Sequence, residues 1–277
     1  MLPNPATPLR FPRLLLTGAA GNLGRELRPR LKAYCDTLRL SHRSDTLGPA
    51  GEGEEIAIAD LADRDAVMAA LAGVDAVVHM GGVSTEQPWE DILAGNIVGM
   101  VNLYEAARAQ GVKRIVFASS NHVTGFYRQD EVVSPRDPVR PDGFYGLSKC
   151  FGENLAQLYW DRHGIETVSL RIGSAYAAPK DRRMLATWMS FDDTERLIVA
   201  ALTAPVVRHS VIYGLSDNAT AWWDNTSARH IGYRPQDSSE AFRAEVEARQ
   251  PTLDLSDPAV QHQGGAFVRT GPFFRAD

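Results

Sequence analysis

Tyr145 and Lys149 stand four residues apart in Tyr145-Gly-Leu-Ser-Lys149, a spacing that puts both side chains on one face of a helix, one turn from each other. A free phenol titrates near ~10, and an ammonium beside it favours the phenolate, the form able to take a proton from a hydroxyl. The same pair arises in helices that merely carry a solvated lysine beside a half-buried tyrosine, so it needs company. Ser119 and Ser120 supply it: they end an apolar run, Arg114-Ile-Val-Phe-Ala118, that reads as a buried strand, and a hydroxyl there can polarise a substrate oxygen. The second constellation is Gly18-x-x-Gly21-x-x-Gly24. Gly18 permits the turn out of a strand, Gly21 lets backbone approach a pyrophosphate, and Gly24 lets a helix pack closely on the sheet. The N–H groups at the start of that helix, around Asn22 and Leu23, then face the phosphates of a dinucleotide.

Strand ends and helix starts must carry these groups. Arg13-Leu-Leu-Leu-Thr17 reads as a strand feeding the glycine turn, followed by a helix from Gly24 to about Tyr34 and a strand over 37–40. Further strands are expected at 55–58, 76–79, 114–119, 167–171 and 210–213, with helices near 62–72, 90–110, 146–163, 192–204 and 238–249. Strands alternating with helices imply an α/β fold, a Rossmann-type doubly wound parallel sheet covered on both faces. Residues 1–12, rich in proline, are expected to be a disordered N-terminal segment. Residues 13–175 are assigned to the dinucleotide-binding core, and 176–277 to a small substrate-binding portion over the carboxyl ends of the strands, the whole forming one structural unit.

The bulk properties exclude several classes. The formal charge is −5 and the basic residues are scattered over 277 positions, so there is no footprint for nucleic acid or an anionic membrane. No apolar run approaches the ~20 residues that span a bilayer, and the N-terminus lacks a secretory signal core; a cytoplasmic location is expected. Two cysteines, Cys35 and Cys150, make no disulfide framework, and the seven histidines show no metal-ligand spacing. No catalytic metal is expected.

The end of the second strand is where an acidic residue would accept hydrogen bonds from the adenosine ribose of NAD and repel the extra phosphate of NADP. The chain has Ser41-His42-Arg43-Ser44 there. Arg43 can fork onto phosphate oxygens and His42 can add a donor, a pattern that predicts NADP; the alternative is a solvated loop cation with NAD bound by its other contacts. Asp60-Leu61, after the third strand, can meet the adenine, or Asp60 can be a helix N-cap.

Taken together, Thr17-Gly-Ala-Ala-Gly-Asn-Leu-Gly24, Asp60-Leu61, Asn96, Ser120 and Tyr145-x-x-x-Lys149 resemble the extended short-chain dehydrogenase/reductase superfamily. A closer set is similar to the uronate dehydrogenases nearly end to end: Met80-Gly-Gly-Val-Ser84, Phe117-Ala-Ser-Ser-Asn-His122, Tyr145 to Glu153, Arg171-Ile-Gly-Ser174, Arg183-Met-Leu, Trp222-Trp-Asp-Asn225 and Gln263-Gly-Gly-Ala-Phe267. The resemblance implies oxidation of C1 of a cyclic hexuronate, glucuronate or galacturonate, to an aldarolactone with reduction of a nicotinamide cofactor. It implies Tyr145 as base, Lys149 as its cation and ribose partner, Ser120 as the group orienting the reacting oxygen, and Asn96 as a support for Lys149. It extends the cofactor site to Met80, Gly81, Gly82 and Ile172.

For the sugar acid the resemblance implies Arg183 at the carboxylate, Ser84, Asn121, His122 and Ser174 at the hydroxyls, and Phe267 closing the pocket. Each has a structural rival: Asn121 and His122 as caps of the strand-to-loop junction, Ser174 as a partner of backbone groups, Phe267 as core, Arg183 in a surface ion pair. His42-Arg43 departs from the acidic residue usual in the family and bears on cofactor choice alone. Two other readings share the motifs, a nucleotide-sugar epimerase or dehydratase and a non-catalytic dinucleotide sensor. By analogy with the superfamily, the helices near 90–110 and 146–163 would pair chains into a homo-oligomer.

Overall fold

Leu14, Leu15 and Leu16 are all fully buried, although successive side chains on a strand point to opposite faces. Strand β1 (Phe11–Thr17) must therefore be covered on both sides, as the inner strands of a parallel sheet are. The computed structural model describes residues 10–272 and 274, and β1 is an inner strand of its sheet. The chain continues through α1 (Asn22–Leu31), β2 (Cys35–His42), β3 (Glu54–Ile58), α2 (Arg64–Ala70) and β4 (Ala76–His79). After β4 come α3 (Trp89–Ile92), a π-helical stretch (Leu93–Val98) and α4 (Gly99–Gln110), then β5 (Arg114–Ser120), α5 (Phe144–His163) and β6 (Glu166–Ile172). The remainder holds β7 (Ser174–Ala175), α6 (Met184–Thr187), β8 (Trp188–Met189), α7 (Phe191–Thr203), β9 (His209–Gly214), α8 (Arg243–Arg249) and α9 (Pro258–Gln261).

Seven strands form one sheet in the order β3-β2-β1-β4-β5-β6-β9, every pair parallel. From β1 the chain winds outward to β2 and β3, then returns to β4 on the other side. The carboxyl ends of β1 and β4 thus open a crevice where the direction of winding reverses, the usual ligand position in such sheets. Leu14 and Leu16 pack with Leu27 and Leu31 of α1 and Leu197, Ile198 and Ala201 of α7 on one face. On the other, Leu15 and Val77 meet Val67 of α2, Leu103 and Tyr104 of α4, and Ala156 and Tyr159 of α5.

The expected strands all form, and the differences lie at ends and breaks. Residues 1–9 of the segment expected to be disordered lie outside the described residues, while Phe11 and Pro12 already belong to β1. The helix expected over 90–110 is interrupted by the π-helical stretch, an i→i+5 insertion too short for the apolar period to reveal. The stretch 238–249 divides into a 3₁₀ turn, Ser239–Phe242, and α8. The sheet also runs past residue 175: α7 covers it and β9 is its edge strand beside β6. A third cluster joins Val133, Ala186, Tyr213, Leu215, Trp222 and Trp223.

Candidate active site

The glycine turn holds its shape by close approach. Gly18 has φ +65°, and a Cβ there would stand 2.6 Å from the Met80 carbonyl carbon; a Cβ on Gly24 would strike the Gly18 carbonyl oxygen. Gly21 is the N-cap of α1, with no side chain capping the helix and no acidic residue in its first turn. The first N–H groups of α1 are therefore left for an anion, and the cradle fits a dinucleotide pyrophosphate. Thr17 Oγ1 braces the opposite wall, bonding His79 Nδ1 at 2.7 Å and accepting from Gly81 N at 3.1 Å. Burial, with the Lys149 charge adding to it, pushes the His79 imidazole down to about 3, so the brace is neutral.

At the end of β2, Ser41 is buried, His42 half-buried and Arg43 exposed. Burial first, then the charges of Arg43 and Arg25, lowers the His42 pKa, so three basic side chains share this corner. Asp60 is not the cap of α2: Asp63 is, accepting from Asp65 N and Ala66 N. Asp60 Oδ1 instead accepts from Ala62 N at 2.9 Å, closing a tight turn, and Asp60 and Leu61 line the cleft.

Helix α5 starts at Phe144, which places Tyr145 in its first turn and Lys149 one turn deeper. Gly143 offers no cap of its own; the buried Glu86 carboxylate reaches over and accepts from Phe144 N at 2.9 Å and Tyr145 N at 2.8 Å. Tyr145 is hydrogen-bonded to Ser120, whose Oγ also accepts from His122 N at 3.2 Å. Lys149 Nζ donates to the Ala118 carbonyl at 2.8 Å and lies 5.5 Å from the Tyr145 ring centre. The net shift of the phenol is opposite to the lowering expected from the spacing to Lys149: burial pushes Tyr145 up to about 12, the Ser120 bond opposes it, and the Asp142 charge adds to the rise. Burial likewise pushes Lys149 down to about 8. Spacing along a helix says nothing of the cost of leaving water, which dominates both groups.

Asn96, in the π-helical stretch, is the one expected residue that does not line the cleft. Its Oδ1 accepts from Val83 N at 2.7 Å, and its Nδ2 donates to Val83 O at 3.0 Å and Ser148 Oγ at 2.8 Å. It thus ties the loop carrying Ser84 to α5 at the residue before Lys149, rather than touching Lys149 itself.

The remaining side chains face this pair across the cleft, which encloses about 860 Å³. Arg183 is half-buried, with Nε donating to the Gln263 carbonyl at 2.7 Å and Nη1 to Ser174 Oγ at 3.4 Å. The Asn121 amide is satisfied with its oxygen 2.8 Å from Arg183 Nη2 and its nitrogen 3.1 Å from the Ile172 carbonyl. Among the described residues these hydrogen-bond partners are all neutral, and burial lowers the Arg183 pKa, with Asp181 and Asp142 opposing at longer range. Phe267 stacks on the His122 ring at 3.8 Å and leans on Tyr145 at 6.1 Å. All the other expected site residues, from Gly18 through Met80, Gly82, Ser84 and Ile172 to Phe267, line the same cleft.

The distinctive C-terminal segments support this wall. Trp223 stacks flat on Tyr213 at 4.8 Å and donates to Gln263 Oε1 at 2.8 Å, while Asn225 bonds the Tyr213 backbone through both its amide atoms. Gln263, fully buried, is therefore held where its carbonyl meets Arg183. Sequence reasoning missed the roles of Thr17, His79, Glu86, Asp142 and Gln263. Of these Thr17 and Gln263 stood in recognised segments; isolated acids in loops give no spacing signal.

Comparison with known proteins agrees with this geometry. A sequence model of the NAD dependent epimerase/dehydratase family matches residues 14–205. The chain is 57% identical over 263 residues to a uronate dehydrogenase from Pseudomonas putida, covering 95% of this chain and 98% of that protein. A crystal structure of uronate dehydrogenase from Agrobacterium tumefaciens superposes with a TM-score of 0.93 at 50% identity, over 97% of this chain and 100% of that one. A mutant of the A. tumefaciens enzyme complexed with NAD matches with a TM-score of 0.92 at 51% identity, over 95% and 99%. The chain belongs to the NAD dependent epimerase/dehydratase family and, within it, to the uronate dehydrogenases, which are oxidoreductases.

Proposed function

We propose that this enzyme oxidises the C1 hydroxyl of cyclic D-glucuronate or D-galacturonate to the aldarolactone, and that it uses NADP in preference to NAD. The observation that carries the substrate is Arg183: a half-buried guanidinium whose nearby partners are neutral, facing the cleft beside Ser174 and Asn121. A hexuronate carboxylate supplies the missing charge in a forked geometry that guanidinium favours. With the sugar held there, its hydroxyls meet Ser84, Asn121, His122 and Ser174, and Phe267 covers its ring. Ser120 orients the C1 oxygen, and Tyr145 Oη takes its proton. Burial opposes the phenolate, so the ammonium that Lys149 keeps below about 8 has to offset that cost. A nicotinamide dinucleotide bound along the glycine cradle supplies the hydride acceptor.

The cofactor reading rests on the corner formed by His42, Arg43 and Arg25, where the charges acting on His42 are basic. His42→Asp combined with Arg43→Ile is expected to shift the NADP/NAD ratio of kcat/KM toward NAD by more than about tenfold, since charged hydrogen bonds to phosphate are worth roughly 1.5–3 kcal/mol. An unchanged ratio removes Arg43 from the cofactor site. The substrate is tested by absorbance of the reduced nicotinamide with glucuronate, galacturonate and glucose in parallel. The uronates should exceed glucose in kcat/KM by at least about 10²-fold, because glucose leaves the Arg183 charge without a partner; equal rates would overturn the reading.

A homo-oligomer remains part of this reading, with Val98, Val101, Leu147 and Leu158 exposed on or beside α4 and α5 as the apolar surface for it. No helix among the described residues is long and apolar enough to cross a membrane, and two unpaired buried cysteines suit a cytoplasmic enzyme.

A further inference from the structure

Asp142 stands in the loop before α5 with its carboxylate buried, and Oδ2 accepts from His122 Nδ1 at 2.6 Å. Backbone closes on it from two sides: a Cβ on either Gly125 or Gly264 would strike Oδ2, and Gly264 N donates to Gly125 O at 2.8 Å across it. Among the described residues its other oxygen, Oδ1, has no hydrogen-bond partner. So costly an arrangement is rarely kept for packing alone. The His122 ring is fixed as tightly, with Phe267 stacked on one face and the Tyr145 ring against it at 5.7 Å. Among the described residues Nε2 has no partner, and His122 lines the cleft beside Ser120 and Tyr145.

An ionised carboxylate only accepts, so the proton of a neutral His122 must sit on Nδ1, and Nε2 carries a lone pair. A lone pair beside the two groups that hold the C1 oxygen can accept from a hydroxyl on the neighbouring ring carbon. We infer that Asp142 is a positioning residue: by fixing the tautomer of His122 it makes Nε2 an acceptor that selects substrates with a free hydroxyl next to the reacting carbon. The inference rests on the sugar-acid reading of the cleft for its ligand, and on this chain's own geometry for the tautomer.

Two measurements test it. Nitrogen-15 NMR of the histidine rings, on the full chain without substrate, should show His122 protonated at Nδ1 and bare at Nε2; a proton on Nε2 of the neutral ring would overturn the inference whatever the enzyme oxidises. Asp142→Asn replaces a group that only accepts by an amide that can also donate to Nδ1, so the ring fraction protonated at Nε2 should rise and kcat/KM for the uronate fall about 10- to 100-fold, with cofactor dissociation constants unchanged. In a His122→Gln background the same change should add less than about twofold, because the two residues act as one. A full, additive loss in that background would assign Asp142 to folding instead. A parent enzyme that oxidises no uronate would overturn the substrate reading, while the ring spectrum would still decide the tautomer.

Discussion

Tyr145→Phe is expected to lower kcat by about 10²- to 10⁴-fold, the range a positioned general base contributes, while leaving the dissociation constant for the cofactor within about twofold. The expected separation follows from where the phenol sits. Its oxygen meets Ser120 and the cleft, whereas the backbone N–H of residue 145 is held by Glu86 and the helix by Ser148 Oγ on the Tyr145 carbonyl at 2.7 Å. Phenylalanine keeps the ring against His122 and Phe267 and removes only the group that accepts the proton. The parent rate of oxidation should rise with pH through the neutral range, because the acceptor must be unprotonated and burial holds it at about 12. The residual rate of the variant should lose that rise. A variant that kept more than a tenth of the parent kcat would show that another group, or water, takes the proton.

Much of the candidate site is legible in the sequence, for a definite reason. The glycine turn, Ser120, Tyr145 and Lys149 occupy the ends of regular elements, and the periodicity that locates an element also locates its end. His42 and Arg43 were readable for the same cause, standing where β2 stops. What periodicity does not carry is the environment that distant segments assemble. Arg183 draws its neutral surroundings from Asn121, Ser174 and Gln263, and Asp142 sits in a Pro-Asp-Gly stretch that reads as a turn signal and nothing more. The sign of the Tyr145 shift was missed because helix spacing measures the distance to Lys149 and says nothing about the cost of leaving water. The β7–β8 pair and the short helices α6 and α9 were missed because two to four residues are too few to show a period.

The site should also depend on an ion pair that touches no substrate. Glu153 lies one turn beyond Lys149, and its Oε1 accepts from Ser119 Oγ at 2.6 Å and Arg171 Nε at 2.9 Å, with Oε2 accepting from Arg171 Nη2 at 2.8 Å. Both side chains are almost wholly buried, at 6% and 3% exposure. Arg171 reaches on to Tyr213 OH at 3.3 Å, which bonds Thr124 at 3.0 Å and lies under Trp223. The pair therefore joins the helix of Tyr145, the strand of Ser120 and the wall that holds Arg183. Burial works against the Arg171 charge, yet the Glu153 carboxylate holds its pKa above the ordinary guanidinium value. Glu153→Gln keeps the shape and removes the compensating charge, so it is expected to cost roughly 3–5 kcal/mol. That is a large part of the 5–15 kcal/mol typical of a whole domain, and it should be visible as an early urea transition. If the loss comes from an uncompensated charge, Glu153→Leu with Arg171→Met should recover most of it, since apolar replacement of both partners is often neutral. Recovery of stability without recovery of kcat would show that the pair also sets the position of Ser120 against Tyr145. A single substitution costing less than about 1 kcal/mol would mean that the Arg171 charge reaches water.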